Sequence, residues 1–202
     1  MRIAVTGSRG FVGGWLTEEL ERAGHEVVGA GRQDVDVRDR PTVGHWLRAV
    51  APDAVVHLAA ISFGPAAGAD EPTALDVNEG GTRAVVDAAS TLPGPPAILV
   101  TGSADVYAPP PDDRPLDEDA PIGPVATYGR SKLAQERAAL GAAARHGLRL
   151  AVTRSFNHTG PRQRPDFVVP ATGTMSGWST SCVSQRTRST SRCGRSSRRG
   201  RR

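Results

Sequence analysis

The chain has 202 residues and a formal net charge of +4, and its last stretch, Ala171 to Arg202, holds eight arginines, both cysteines and no acid. Taking those eight from the 25 basic residues leaves 17 against 21 acids, so the body is mildly acidic and the basic character belongs to the end of the chain. This excludes a cysteine-built disulfide framework or metal centre in the body, argues against nucleic-acid binding there, and, with no window near ~20 consecutive apolar residues, gives no membrane span.

The length suits one domain, residues 1–170, followed by an Arg/Ser-rich tail, residues 171–202. The start, Met1 to Gly7, breaks too early to read as a signal peptide, so a cytoplasmic location is expected. Arg2 to Thr6 is a short apolar run. Thr6-Gly7-Ser8-Arg9-Gly10-Phe11-Val12-Gly13 follows, then apolar periodicity through Leu16 and Leu20 to a stop near Gly24. This predicts strand, glycine turn and helix. Gly7, Gly10 and Gly13 have the spacing that lets backbone N–H groups approach a pyrophosphate at a helix N-terminus.

Glu26 to Ala30 is the second predicted strand, running into Gly31-Arg32. An acid at this point commonly binds ribose hydroxyls, and a cation suits a 2′-phosphate. Arg32, with Arg9 in the glycine turn, leans toward NADP, while Asp34 keeps NAD open and a solvated-loop role for Arg32 stands beside both. Asp36 precedes a helix from about Pro41 to Val50; it could accept from an adenine amino group, and Asp39 is the better helix cap. Asp53 to Leu58 is the third strand, and the small residues Ala59 and Ala60 beyond Leu58 would let the backbone pass close to a cofactor. His57 reads as a structural strand-end histidine rather than a metal ligand, because no second ligand keeps spacing with it.

Pro72 to Ser90 is a predicted helix with Asn78 in its middle, either in a buried polar contact or facing water. Ala97 to Thr101 is an apolar run typical of a strand buried on both faces. Ser103 sits just past it, where open α/β sheets place ligand chemistry, though a turn role would also suit it. Pro109 to Pro124, rich in prolines and acids, is a loop that reads as solvated rather than as a metal site. A helix carrying Tyr128 and Lys132 runs to about His146, and Leu148 to Thr153 is the fifth strand. Lys132 is the single lysine beside 24 arginines, and it lies four residues after Tyr128, on one helix face. An ammonium there is expected to lower the phenol from its usual ~10 and ready it for proton exchange. Five alternations of strand and helix imply an α/β, Rossmann-type, doubly wound parallel sheet.

These residues resemble a family, the extended short-chain dehydrogenase/reductases, which include NAD(P)-dependent sugar-nucleotide epimerases and dehydratases. The resemblance runs from Arg2 to about Pro170. It rests on TGSRGFVG at Thr6–Gly13, DV at Asp36–Val37, HLAA at His57–Ala60, GSADVY at Gly102–Tyr107, YGRSK at Tyr128–Lys132 and RSFNHTGPRQ at Arg154–Gln163. The last motif looks most like the GDP-4-keto-6-deoxy-D-mannose reductases and GDP-mannose 4,6-dehydratases. By position the family implies Tyr128 as general acid/base, Lys132 on the nicotinamide ribose and depressing the Tyr128 pKa, and Ser103 on the reacting oxygen. The turn from Gly7 through Phe11, Val12 and Gly13 would hold the pyrophosphate, Asp36 and Val37 would meet the adenine, and Asn157 would contact the substrate diphosphate. Many dehydratases carry a Glu where this chain has Asp105, and some an Asp where it has Ala104, which favours hydride transfer to a 4-keto sugar over elimination. Epimerisation at C4 needs the same three residues and stays open. The family also implies a homodimer through helices at 72–90 and 125–146.

The family pattern stops near Pro170, and the substrate domain that members carry is expected to be missing. Residues 171–202 cannot bury enough apolar surface to offset ordering entropy. A basic tail for acidic partners and a change of reading frame compete, and the abrupt transition favours the second. An inactive dinucleotide-binding module is therefore a second expectation beside the oxidoreductase.

Overall fold

The computed structural model describes residues 1–61, 70–111 and 115–163. The Arg/Ser-rich segment 171–202, and Asp112 and Asp113 of the acidic loop, lie outside the described residues. Five strands form one parallel sheet: β1 (Arg2–Thr6), β2 (Glu26–Ala30), β3 (Ala54–His57), β4 (Ala97–Thr101) and β5 (Leu150–Thr153). Their order is β2-β1-β3-β4-β5. The chain reverses its direction of travel across the sheet between β1 and β3, so a crevice opens beyond the carboxyl ends of these two strands, the usual ligand position of open α/β sheets.

Period-2 alternation in β1 splits the core. Ala4 faces one layer with Val55, Val85, Leu47, Ala139 and Ala142, under the helices α2 (Arg40–Val50), α4 (Thr82–Ser90) and α5 (Thr127–His146). Ile3 and Val5 face the other with Val56, Leu16 and Leu20, under α1 (Phe11–Arg22). The apolar run of β4 predicts burial on both faces. The structure instead buries Ile98 and Val100 and leaves Ala97, Leu99 and Thr101 half-buried, because Leu99 lies on the side that α1 covers at a distance of two strands.

Helix ends follow local chemistry. Asp39 caps α2, its carboxylate accepting from the Thr42 hydroxyl at 2.6 Å, as the sequence predicts. Gly147, at φ 66°, stops α5. The helix expected over 72–90 is broken: α3 (Glu71–Leu75) passes into a π-helical turn, Asp76–Gly81, before α4 begins. The pair Gly80-Gly81 weakens regular winding, and the wider turn aims Asn78 inward, where it is fully buried.

A buried polar ladder joins the layers. Thr6 and His57 are register partners in β1 and β3, and the Thr6 hydroxyl lies 2.7 Å from His57 Nδ1. His57 Nε2 lies 2.9 Å from the Thr82 hydroxyl, which also accepts from Gln135 Nε2 at 2.9 Å. Thr6 Oγ1 accepts from Ala59 N as well, and a neutral imidazole can accept from one of its two hydroxyl neighbours and donate to the other. Burial, with the nearby Lys132 ammonium, holds this imidazole down at about 3 against an ordinary 6.5. Below 6.5 an unfolded chain takes up a proton that the folded chain refuses, so stability falls with pH from there toward 3. Urea denaturation between pH 7 and 5 is expected to show this loss, at up to about 1.4 kcal/mol per pH unit. A His57→Gln protein should lose that slope, and equal slopes in the two proteins would remove His57 as its source.

Candidate active site

The glycine turn lies at the crevice. Gly7, at φ 72°, sits so close to the end of β3 that a Cβ on it would lie 2.8 Å from Ala59 N. Only glycine fits there. The chain at Leu58 and Ala59 thus passes against the turn. Gly10 is the N-cap of α1 and brings no side-chain acceptor, and the first turn of the helix has no acid. The N–H groups at Phe11, Val12 and Gly13 therefore face the crevice end with the positive pole of a 12-residue helix, a donor set that fits a pyrophosphate. Arg9 lies on the same turn, ion-paired to Asp34 at 2.9 Å.

Ser103, Tyr128 and Lys132 come together at the carboxyl end of β4. Gly129 makes this possible: a Cβ there would lie 2.3 Å from the Asp105 carbonyl oxygen, so α5 starts in direct contact with the 3-10 turn Ala104–Val106. Ser103 is 8% exposed, and its hydroxyl accepts from Asp105 N at 3.2 Å. Burial raises the Tyr128 phenol above its ordinary 10, helped by the Asp105 carboxylate and opposed by the neighbouring Ser103 hydroxyl. Lys132 is almost fully buried, its ammonium donating to the Thr101 carbonyl at 2.6 Å. Burial brings it down to about 7. The expected lowering of Tyr128 by Lys132 is thus corrected: desolvation controls both groups, and it drives the phenol up and the amine down.

Asn78 and Arg154 anchor this set; the sequence offers Asn78 a buried polar contact or a place facing water and gives Arg154 no role of its own. Asn78 Oδ1 accepts from Ile61 N at 2.8 Å, and its Nδ2 donates to Ile61 O at 3.2 Å and to Ser131 Oγ at 2.9 Å. Ser131 in turn donates to the Tyr128 carbonyl at 2.8 Å. The buried contact, rather than the solvent-facing one, is therefore what the structure gives. Arg154, just past β5, forks onto Glu136 at 2.6 and 3.0 Å. It also donates to the Tyr107 hydroxyl at 3.3 Å and the Glu118 carbonyl at 3.2 Å, with its guanidinium 5.0 Å from the Tyr107 ring centroid. Glu136 follows Lys132 by four residues and Tyr128 by eight, a helical spacing that could have signalled it.

Other expected residues have different partners. Both Asp36 carboxylate oxygens are taken by Arg38, at 2.6 to 3.2 Å, which holds the acid down at about 2. The Val37 side chain is buried in the core at 4% exposure. Arg32 is exposed at the end of β2, and Asn157 is exposed on the segment after β5. That segment returns to α1: Trp15 Nε1 donates to the Pro161 carbonyl at 3.2 Å, and Arg162 stacks 4.7 Å from the Trp15 ring while pairing with Glu18. Among the described residues no group of three or more His, Cys, Asp or Glu side chains could hold a metal, and no helix is long and apolar enough to cross a membrane.

A parallel sheet of this order, with an uncapped glycine turn at its switch point, defines a Rossmann-type dinucleotide-binding fold. Residues 3–184 match the NAD dependent epimerase/dehydratase family, and the chain belongs to it. It is 35% identical over 139 residues to a dTDP-4-dehydrorhamnose reductase of Streptomyces griseus, covering 69% of this chain and 45% of the relative. It is 33% identical over 170 residues to a GDP-6-deoxy-D-mannose reductase of Pseudomonas aeruginosa, covering 83% of this chain and 56% of that one. The UDP-glucose 4-epimerase of Thermus thermophilus, solved in complex with NAD, superposes with a TM-score of 0.77 at 27% identity, covering 82% of this chain and 58% of the epimerase. The chain spans about half the length of the curated relatives it matches.

The ion pair between Arg154 and buried Glu136 gives a direct test of the anchor. Arg154→Met should lower stability in urea denaturation by about 3–5 kcal/mol, because it leaves a buried carboxylate unpaired. Adding Glu136→Leu should recover most of that loss. An Arg154→Met protein as stable as the parent would show that Glu136 finds another partner.

Proposed function

We propose that the chain binds a nicotinamide dinucleotide, NADP ahead of NAD, and serves a nucleotide-sugar oxidoreductase that reduces a GDP-4-keto-6-deoxy-hexose. The observation that carries this reading is the convergence of Ser103, Tyr128 and Lys132 at the carboxyl end of β4, where desolvation keeps the Tyr128 phenol protonated at neutral pH. That is the state of a proton donor, which a carbonyl reduction needs. When bound, the dinucleotide supplies the hydride. Ser103 and Tyr128 hold the carbonyl oxygen, and Tyr128 gives its proton to that oxygen as negative charge develops. Lys132, anchored on Thr101, stands one helical turn beyond, and its charge would steady the phenolate left behind. Gly7, Gly10 and Gly13 with the N–H groups of Phe11 and Val12 would take the pyrophosphate, with Arg9 and Arg32 toward a 2′-phosphate and Asn157 toward the substrate diphosphate.

The sugar reading draws on the GDP-6-deoxy-D-mannose reductase relative. A dTDP or UDP sugar, and 4-epimerisation, use the same three residues and are the nearest alternatives, in line with the reductase and epimerase relatives. A 4,6-dehydratase is less favoured because Ala104-Asp105 lacks the longer acid that elimination uses. The helices α4 and α5 would carry a homodimer, with Leu140 exposed on α5.

Absorbance at 340 nm tests the reaction. With NADPH and a GDP-4-keto-6-deoxy sugar the signal should fall with time. Tyr128→Phe should slow that by about 10²–10⁴-fold, the usual share of general acid catalysis, and leave NADPH binding in place. Lys132→Arg should also lose turnover, and equal rates would remove Lys132 from the mechanism. Dinucleotide binding without turnover in the parent would leave a binding module instead.

A further inference from the structure

We propose that Arg154 is a positioning residue: it holds the turn that carries Ser103 against α5 and so sets where the Ser103 hydroxyl meets Tyr128. The inference rests on the oxidoreductase reading above and adds a residue to which that reading gives no part. Arg154 follows β5 directly, and the backbone on either side of it grips the backbone on either side of Ser103. Gly102 N donates to the Thr153 carbonyl at 2.7 Å, and Ala104 N donates to the Ser155 carbonyl at 2.9 Å. The first approach is close: a Cβ on Gly102 would lie 2.3 Å from the Thr153 carbonyl oxygen. The far end of the same turn is Tyr107, whose N–H donates to the Ala104 carbonyl at 3.0 Å and whose hydroxyl accepts from Arg154 Nη1 at 3.3 Å. The turn is therefore held at its start by the carbonyls flanking Arg154 and at its end by the Arg154 side chain.

The rest of the guanidinium faces α5. Nε and Nη2 fork onto the Glu136 carboxylate, about two turns, or roughly 10 Å, along the helix from the point where Gly129 touches the Asp105 carbonyl. The Gly129 approach brings the helix near the turn without a bond. The ion pair adds a second fixed point, so the angle of α5 against the turn is set as well as its distance. Nη1 also donates to the Glu118 carbonyl, and the chain beyond it is laid along the turn by the bridge between Tyr107 and Ile122. A lysine has no planar fork and could not meet a carboxylate, a phenol and a carbonyl in fixed directions. Stability alone does not call for the pair, because a buried ion pair exchanged for apolar side chains of similar size is often neutral. What the pair contributes is direction, and its receiver is the step that needs Ser103 and Tyr128 on one oxygen.

The test uses the full chain and the Arg154→Met/Glu136→Leu double variant, in which the lost pair is replaced by apolar packing. With NADPH and a GDP-4-keto-6-deoxy sugar, kcat should fall about 10²-fold, the scale of a reacting group misplaced by about 1 Å, while NADPH affinity is kept. Ser103→Ala should cost the parent on the order of 10²-fold in kcat but cost the double variant far less, because Arg154 acts through Ser103. Full multiplication of the two losses would make the pair a structural element only and overturn the inference. Amide exchange read by mass spectrometry needs no turnover. Peptides over 102–108 should exchange roughly tenfold faster in the double variant, with β1 and β3 unchanged. Exchange unchanged at 102–108, or raised equally everywhere, would also overturn it. Arg154→Lys, which keeps the charge without the fork, should show the same local effect and serves if the double variant does not fold. A parent that binds NADPH but leaves the 340 nm signal flat would overturn the oxidoreductase reading, and the exchange rates then decide by themselves whether Arg154 holds the Ser103 turn.

Discussion

The imidazole of His57 has to be uncharged for this fold to close. It lies fully buried between the hydroxyls of Thr6 and Thr82, and Gln135 completes the row. Each member comes from a different element, β1, β3, α4 and α5, so the row fixes how the first half of the sheet meets the helix that carries Tyr128 and Lys132. The ring is fully buried, and taking a charge into that dry site carries a desolvation cost that keeps it neutral. The proximity of Lys132 acts in the same direction, since two cations would repel in a dry interior.

Two tight approaches then bring separate stretches of chain to one place. Gly7 lets the first loop touch the end of β3, and Gly129 lets α5 begin against the turn that follows β4. Asn78 supports the second approach from behind, because its side chain satisfies the backbone of Ile61 and reaches α5 through Ser131. The π-helical turn is what aims it there. A regular helix would rotate the residues after the turn and present another face to α5.

Much of this was legible in the chain. The five strands, the glycine turn, the Asp39 cap and the Gly147 stop rest on local signals, namely apolar period, cap chemistry and positive φ, and the structure places them as read. The break at Asp76–Gly81 was only partly legible: Gly80-Gly81 marks a weak point in the winding, but the Ile61 backbone that Asn78 satisfies comes near only in the folded chain. The electrostatics of Tyr128 and Lys132 failed for a related reason. Spacing shows that two groups are neighbours on a helix, but it does not show how deeply each is buried, and burial decided both pKa values. Asp36 was assigned by position in a motif, while the nearby Arg38 takes its carboxylate. Glu136 was visible by spacing, yet its partner Arg154 comes from a strand end 18 residues away.

The return of the segment after β5 to α1 has a kinetic meaning. The bond from Trp15 to Pro161 closes a span of 146 residues, the longest separation among the side-chain hydrogen bonds described. Such a contact forms late, since the intervening sheet must assemble before the two ends can meet. Its partners, Trp15, Glu18 and Arg162, lie at the surface rather than in either core layer. Surface contacts of this kind open more easily than the core layers, so the strap can part from α1 without global unfolding.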